Sequence, residues 1–153
     1  MTLMRLNNLH TVKRLAEITV TIAEGTIATN VDVARQMGYL RPGDVSVYNP
    51  DRLISEAKKQ ALTTTAARRP EWTATSGPLV GMIDGSIAKL RASGAFTEHD
   101  ELIAGKVRQI MARSTSYEDA LERERAEFLN LCGRNMTQSR IKHMVETHKL
   151  LRN

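Results

Sequence analysis

The sequence predicts an all-α protein of about seven amphipathic helices in two groups, with little or no sheet. Three observations predict it. Between residues 78 and 131 three stretches in a row repeat apolar residues every three or four positions, the spacing of one helix face. Helix punctuation separates them: Gly94, then Thr97 with Asp100 three on, then Ser116 with Asp119 three on. Only one short stretch, Val45 to Tyr48, alternates like a strand, and a lone strand has no partner to pair with.

The three stretches define their own faces. Leu79, Ile83, Ile87 and Leu90 form the first, and Ile103, Val107 and Ile110 with Met111 form the second. The third is Tyr117, Leu121, Phe128 and Leu131. None of these helices can hide its stripe alone, so they are expected to pack on one another. Aromatic residues make up only 4% of the chain, so the core must be aliphatic, with seven methionines to fill irregular gaps.

Ahead of them, residues 1–10 read as a lead-in. Residues 11–24 read as a helix, with Val12, Leu15, Ile18 and Ile22 at helical spacing and Gly25 as its stop. Thr29 or Asn30 caps a short helix through Met37, ended by Gly38. Pro42 and Gly43 make a turn. Asn49-Pro50-Asp51 starts a helix to about Thr65, a cap followed by proline at the first position. Its inward residues are expected to be Leu53, Ile54, Ala57, Ala61 and Leu62. Residues 67–77 read as a linker anchored by Trp72, dividing helices in 11–66 from a bundle in 78–153. The last helix, 137–148, is expected to staple Met136 on Ile141 and to bury Met144 and Val145.

Composition narrows function. A chain of 153 residues has room for one domain or one module of a larger protein. It has no apolar run long enough to span a membrane, and residues 1–8 have no signal-peptide core. A single cysteine, Cys132, rules out an internal disulfide and fits a reducing compartment, so a cytoplasmic chain with a buried, inert thiol is expected. The net charge of +5 permits contact with phosphates without demanding it.

No catalytic constellation is visible. The chain has neither a dinucleotide-binding glycine turn nor a phosphate-binding loop, and no cysteine–histidine quartet for zinc. His143 and Glu146 lie three apart but read as exposed polar residues. His99, between Glu98 and Asp100, belongs to a first-turn cluster suited to a helix N-terminus. Ser114, Thr115 and Ser116 read as capping groups. Lys58, Lys59 and Arg68 are solvated charges that a phosphate could meet. No residue is assigned as catalytic, cofactor-binding or metal-binding, and no cofactor is expected. A small basic helical nucleic-acid-binding protein is the alternative, through Arg140, Lys142 and Lys149 of the last helix. These charges do not converge on a recognition helix, and no aromatic platform accompanies them.

Taken in order, several segments resemble a known family. Residues 26–42, with a small-residue start, a short helix and the run G-Y-L-R-P, look like the stretch before the C-terminal helices of the enoyl-CoA hydratase (crotonase) module. The G-A-F-T-E-H-D turn from Gly94 to Asp100 matches that pattern. The most specific part is T-Q-x-R-I-x-H-M from Thr137 to Met144, closing on Leu151-Arg152-Asn153. Together they resemble the C-terminal region of bifunctional 3-hydroxyacyl-CoA dehydrogenase/enoyl-CoA hydratase enzymes of fatty-acid β-oxidation, over about residues 15–153. His148-Lys149-Leu150 departs from the family's Gly-Lys-Pro, which lets the last helix run on slightly. The resemblance implies a helical part that packs over a catalytic body and supports oligomerisation, inactive alone because both catalytic halves lie before the matched region. Its implied partners are a second copy or that catalytic body, with acyl-CoA a further candidate. Separated from the body, the N-terminal piece is expected to expose apolar surface and to self-associate.

Overall fold

A computed structural model of the chain describes residues 12–65, 71–75 and 77–153. The expected lead-in, residues 67–70 (with Arg68) and 76 of the linker, and the side chains of Val12 and Leu15 lie outside the described residues. Among those described there are seven α-helices and no strand. They are α1 (Val12–Glu24), α2 (Val31–Gln36), α3 (Leu53–Thr63), α4 (Gly77–Ala92), α5 (Glu98–Arg113), α6 (Tyr117–Cys132) and α7 (Asn135–Thr147). A 3-10 turn, Pro50–Arg52, leads into α3. The fold is all-α. No described helix is long and apolar enough to cross a membrane.

The chain forms two compact units, one of Met1–Ile27 with Glu71–Asn153 and the other of Ala28–Pro70. In the larger unit α1 packs on α4 and α5, and α5 packs on α4 and α6. The unit therefore takes in helices from both sides of the linker drawn from the sequence. Apolar spacing identifies a face to bury but not the helix that receives it. The core comprises Ala23, Ile83, Ile87, Phe96, Ala104, Val107, Ile110, Met111 and Ala120. Burying each of its larger side chains, Ile83, Ile87, Phe96, Val107, Ile110 and Met111, contributes about 1.5–3 kcal/mol.

Local chemistry places these helices. Gly94 adopts φ 74°, and the Phe96 N–H closes the reversal on the Leu90 carbonyl at 3.0 Å. Thr97 and Asp100 form a full capping box: Thr97 Oγ1 accepts from the Asp100 N–H at 3.2 Å, and Asp100 Oδ2 accepts from the Thr97 N–H at 2.9 Å. Ser116 caps α6 by accepting from the Asp119 N–H at 3.1 Å. Lys106 and Glu127 pair at 2.9 Å between α5 and α6. Trp72 does anchor its segment. Its Nε1–H donates to the Ser114 carbonyl at 2.8 Å, and its ring meets Tyr117 edge-on.

Several expected faces are not covered. Leu53, Ile54, Ala57, Ala61 and Leu62 of α3 are all exposed, Leu62 at 89%. In this smaller unit neither helix, nor the 3-10 turn, contains a buried residue. Among the described residues of this unit, the main packing partner of α3 is its own 3-10 turn. The α-helix also starts three residues after Pro50, because Asn49 caps a 3-10 turn through its bond from the Asp51 N–H. Val45 to Tyr48 forms no strand.

In the larger unit α6 buries only Ala120, near its start. Leu121 is exposed and Phe128 is 64% exposed, so neither is a core residue; Tyr117 and Leu131 are half-buried. Cys132 is half-buried rather than buried. On α7 the expected staple is absent as a buried contact, since Met136 and Ile141 are both exposed. Met144 is half-buried, and Val145 is 71% exposed. The last helix does not run on past Thr147. His148 itself takes the left-handed conformation, φ 57° and ψ 23°, and its N–H bonds the Met144 carbonyl.

Candidate functional site

The start of α5 and the inner side of α7 meet in one polar cluster. The capping box fixes Thr97 and Asp100 at the first turn of α5, and it turns the Asp100 carboxylate inward, where it is 1% exposed. Thr137 and Arg140, three apart on α7, face it from the same side of their helix. Arg140 Nη2 lies 2.8 Å from Asp100 Oδ1 and donates to Thr97 Oγ1 at 3.2 Å. Its Nε donates to Asn153 Oδ1 at 2.8 Å, and Nη2 also reaches the Asn153 main-chain oxygen at 3.2 Å. Asn153 Nδ2 donates to the Met136 carbonyl at 3.1 Å. His99, 2% exposed, shares a 2.9 Å hydrogen bond between its Nε2 and Thr137 Oγ1.

The electrostatics follow from this packing. Burial pushes the His99 imidazole below its ordinary pKa, and the Arg140 charge adds to the effect. Asp100 partly opposes them, and Arg134 reinforces them. For Asp100, burial alone would raise the carboxyl's pKa. The Thr97 N–H and the Arg140 guanidinium more than offset it, and the group is held below the usual carboxylate range. The cluster thus holds a neutral imidazole beside a buried ion pair. An open groove of about 640 Å³ adjoins it, lined by Glu98, His99, Glu101, Leu102 and residues 133–136.

This arrangement positions helices. The Nε2 face of His99 is engaged by Thr137, and both Asp100 oxygens are engaged, Oδ1 by Arg140 and Oδ2 by the capping box. The other residues singled out from the sequence lie elsewhere. Ser114 is buried and donates to the Ile110 carbonyl at 2.6 Å. Thr115 donates through its N–H and its hydroxyl to Asp119, which Arg123 also holds at 2.7 Å. These two hydroxyl residues, with Ser116, act as capping and turn groups. Glu146 pairs with Lys142 at 3.8 Å rather than with His143. No group of three or more residues able to hold a metal ion occurs among the described residues. Lys58 and Lys59 are exposed, and Lys59 pairs with Glu56 at 2.9 Å.

Sequence reasoning missed the role of Arg140, which it grouped with the basic surface of the last helix. Arg140 is instead 19% exposed and turned onto Asp100. The signal was available in the segments quoted for the resemblance. Thr97 to Asp100, Thr137 to Arg140, and Asn153 are far apart in sequence and converge here.

The larger unit is therefore a helical body whose most engaged polar residues serve packing. The chain is 32% identical over 146 residues to a protein of Bacillus subtilis (strain 168) named Probable 3-hydroxyacyl-CoA dehydrogenase, an alignment covering 87% of this chain and 18% of that one. The chain is similar to part of such a dehydrogenase and spans less than a fifth of its length. No family model matches the sequence, and no solved structure matches it.

Proposed function

We propose that the chain is the C-terminal helical portion of a 3-hydroxyacyl-CoA dehydrogenase/enoyl-CoA hydratase of fatty-acid β-oxidation, and that it serves packing and oligomerisation rather than chemistry. The identity to part of a dehydrogenase supports the origin. The uncovered stripe of α3 is the observation that carries the packing role, because Leu53, Ile54 and Leu62 lie exposed on a helix whose unit has no buried helix residue. An apolar surface of that kind marks an interaction site. Its partner is the catalytic body of the enzyme, and a second copy substitutes when that body is absent. Acyl-CoA would then contact the assembled enzyme rather than this chain alone, and the compartment is the cytoplasm.

Co-expression with the remaining section of such a dehydrogenase, supplied as a separate polypeptide, tests the reading. The two chains are expected to elute together, and a variant with Leu53→Lys and Ile54→Lys is expected to elute apart from the body. Separate elution of the unaltered chains, or turnover of crotonyl-CoA by this chain alone, contradicts it.

A further inference from the structure

After α7 the chain turns back as a strap, residues 149–153, pinned at three places. Leu150 lies against Gly25, with its Cδ2 4.0 Å from where a Cβ would stand. Arg152 pairs with Glu24 of α1 at 3.1 Å. Asn153 is held by Arg140 through two bonds and by the Met136 carbonyl through a third. The same guanidinium that holds Asn153 holds Asp100. Anything that draws Asp100 away from Arg140 therefore acts on the strap.

His99 is the group placed to do so. It is the neighbour of Asp100 at the head of α5, almost fully buried, and bonded to Thr137 one turn before Arg140. From α7 it is faced by two cations, Arg140 and Arg134, and by the neutral Thr137 hydroxyl. From its own helix it is faced by the Asp100 carboxylate, with Glu98 and Glu101 at the rim of the adjoining groove. The strap adds the neutral Asn153 amide, and Arg152 is paired away on Glu24. A proton on His99 puts a further positive charge beside one buried carboxylate already claimed by Arg140.

We propose that residues 149–153 are a proton-operated latch, closed while His99 is neutral and released at Asn153 when His99 is protonated and competes with Arg140 for Asp100. The burial and charge environment that holds the imidazole neutral in the latched form is the same one that makes protonation costly there, so acid favours the open form. The Arg152 pair is made to Glu24 of α1 at 3.1 Å, outside the cluster of His99, Asp100 and Arg140, and takes no part in the competition. The latch thus opens at Asn153 while the Arg152 contact remains.

Hydrogen exchange of the Asn153 side-chain amide, which donates to the Met136 carbonyl at 3.1 Å, followed by NMR on the full chain and corrected for the intrinsic pH dependence of exchange, reads the latch directly. Protection of that side-chain amide is expected to fall by roughly threefold or more between pH about 7.5 and about 5.5, with the backbone amides in the middle of α5 unchanged. In His99→Gln, which keeps a hydrogen-bonding group near Nε2, the Asn153 amide is expected to hold the same protection at both values. His148→Asn, tolerant of the left-handed conformation, is expected to keep the full response, which excludes His148 as the titrating group. Arg140→Lys, which cannot span Asp100 and Asn153 together, is expected to open the strap even at the higher pH. Protection of the Asn153 amide that is independent of pH in the unaltered chain, an equal response in His99→Gln, or a closed strap in Arg140→Lys overturns the proposal.

Discussion

Replacing Arg140 by methionine removes the guanidinium while keeping an unbranched stem of similar length. Asp100 then stays buried with its capping-box bond but without a counter-ion. Breaking a buried pair by removing one partner costs about 3–5 kcal/mol. Arg140 is 19% exposed and Asp100 keeps the Thr97 N–H, so the expected loss is at the lower end, about 3 kcal/mol. Asp100→Asn keeps an acceptor for that N–H and removes the charge, for an expected loss of about 2 kcal/mol. Each variant alone leaves the other charge uncompensated, and the double variant leaves neither. The double variant should therefore be less damaged than the sum of the two by about 1.5 kcal/mol. Urea unfolding followed by the fluorescence of Trp72, the single tryptophan, reads this unit, because Trp72 is bonded to Ser114 within it. Losses that add with no coupling beyond about 0.5 kcal/mol refute the claim that this pair organises the junction.

Other outcomes follow from the same geometry. Stability depends on pH in a fixed direction: His99 and Asp100 are both held below their ordinary pKa values, so the unfolded chain binds more protons. The urea midpoint is expected to fall as pH drops below about 6.5, through His99, and again below about 3.9, through Asp100; a midpoint flat from pH about 8 to about 5 contradicts the burial of a neutral His99. His148→Gly relieves a left-handed residue bearing a Cβ, and thermal unfolding should show a gain of about 0.5–1 kcal/mol. Thr75 is buried with its hydroxyl lacking a hydrogen-bond partner, so Thr75→Val should be neutral or stabilising by up to about 1 kcal/mol in the same assay, and a loss shows that the hydroxyl is satisfied.

Where helices begin and end was legible because local chemistry decides it. Asn30, Asn49, Thr97 and Ser116 each accept the N-terminal bond that their position implies. The apolar faces of α4 and α5 were legible too, since neighbours on both sides complete their burial. The same reasoning failed on α3 and on most of α6. Periodicity states that a face is apolar, and nothing in it states that a cover is present. His148 shows a further limit: a glycine-free helix end was expected to let the helix continue, yet the chain adopts the left-handed stop with a histidine. Arg140 was misread because its charge suggested solvent, whereas the capping box at the head of α5, two helices earlier, had already buried the carboxylate that it meets. Its partner could be found only by joining the quoted segments in space.

Sedimentation of the isolated chain over a roughly hundredfold range of micromolar concentration tests the central claim most directly. A body whose α3 stripe awaits a cover should gain mass with concentration, and Leu53→Lys with Ile54→Lys should return it to the monomer. A single monomeric species at every concentration would contradict the account.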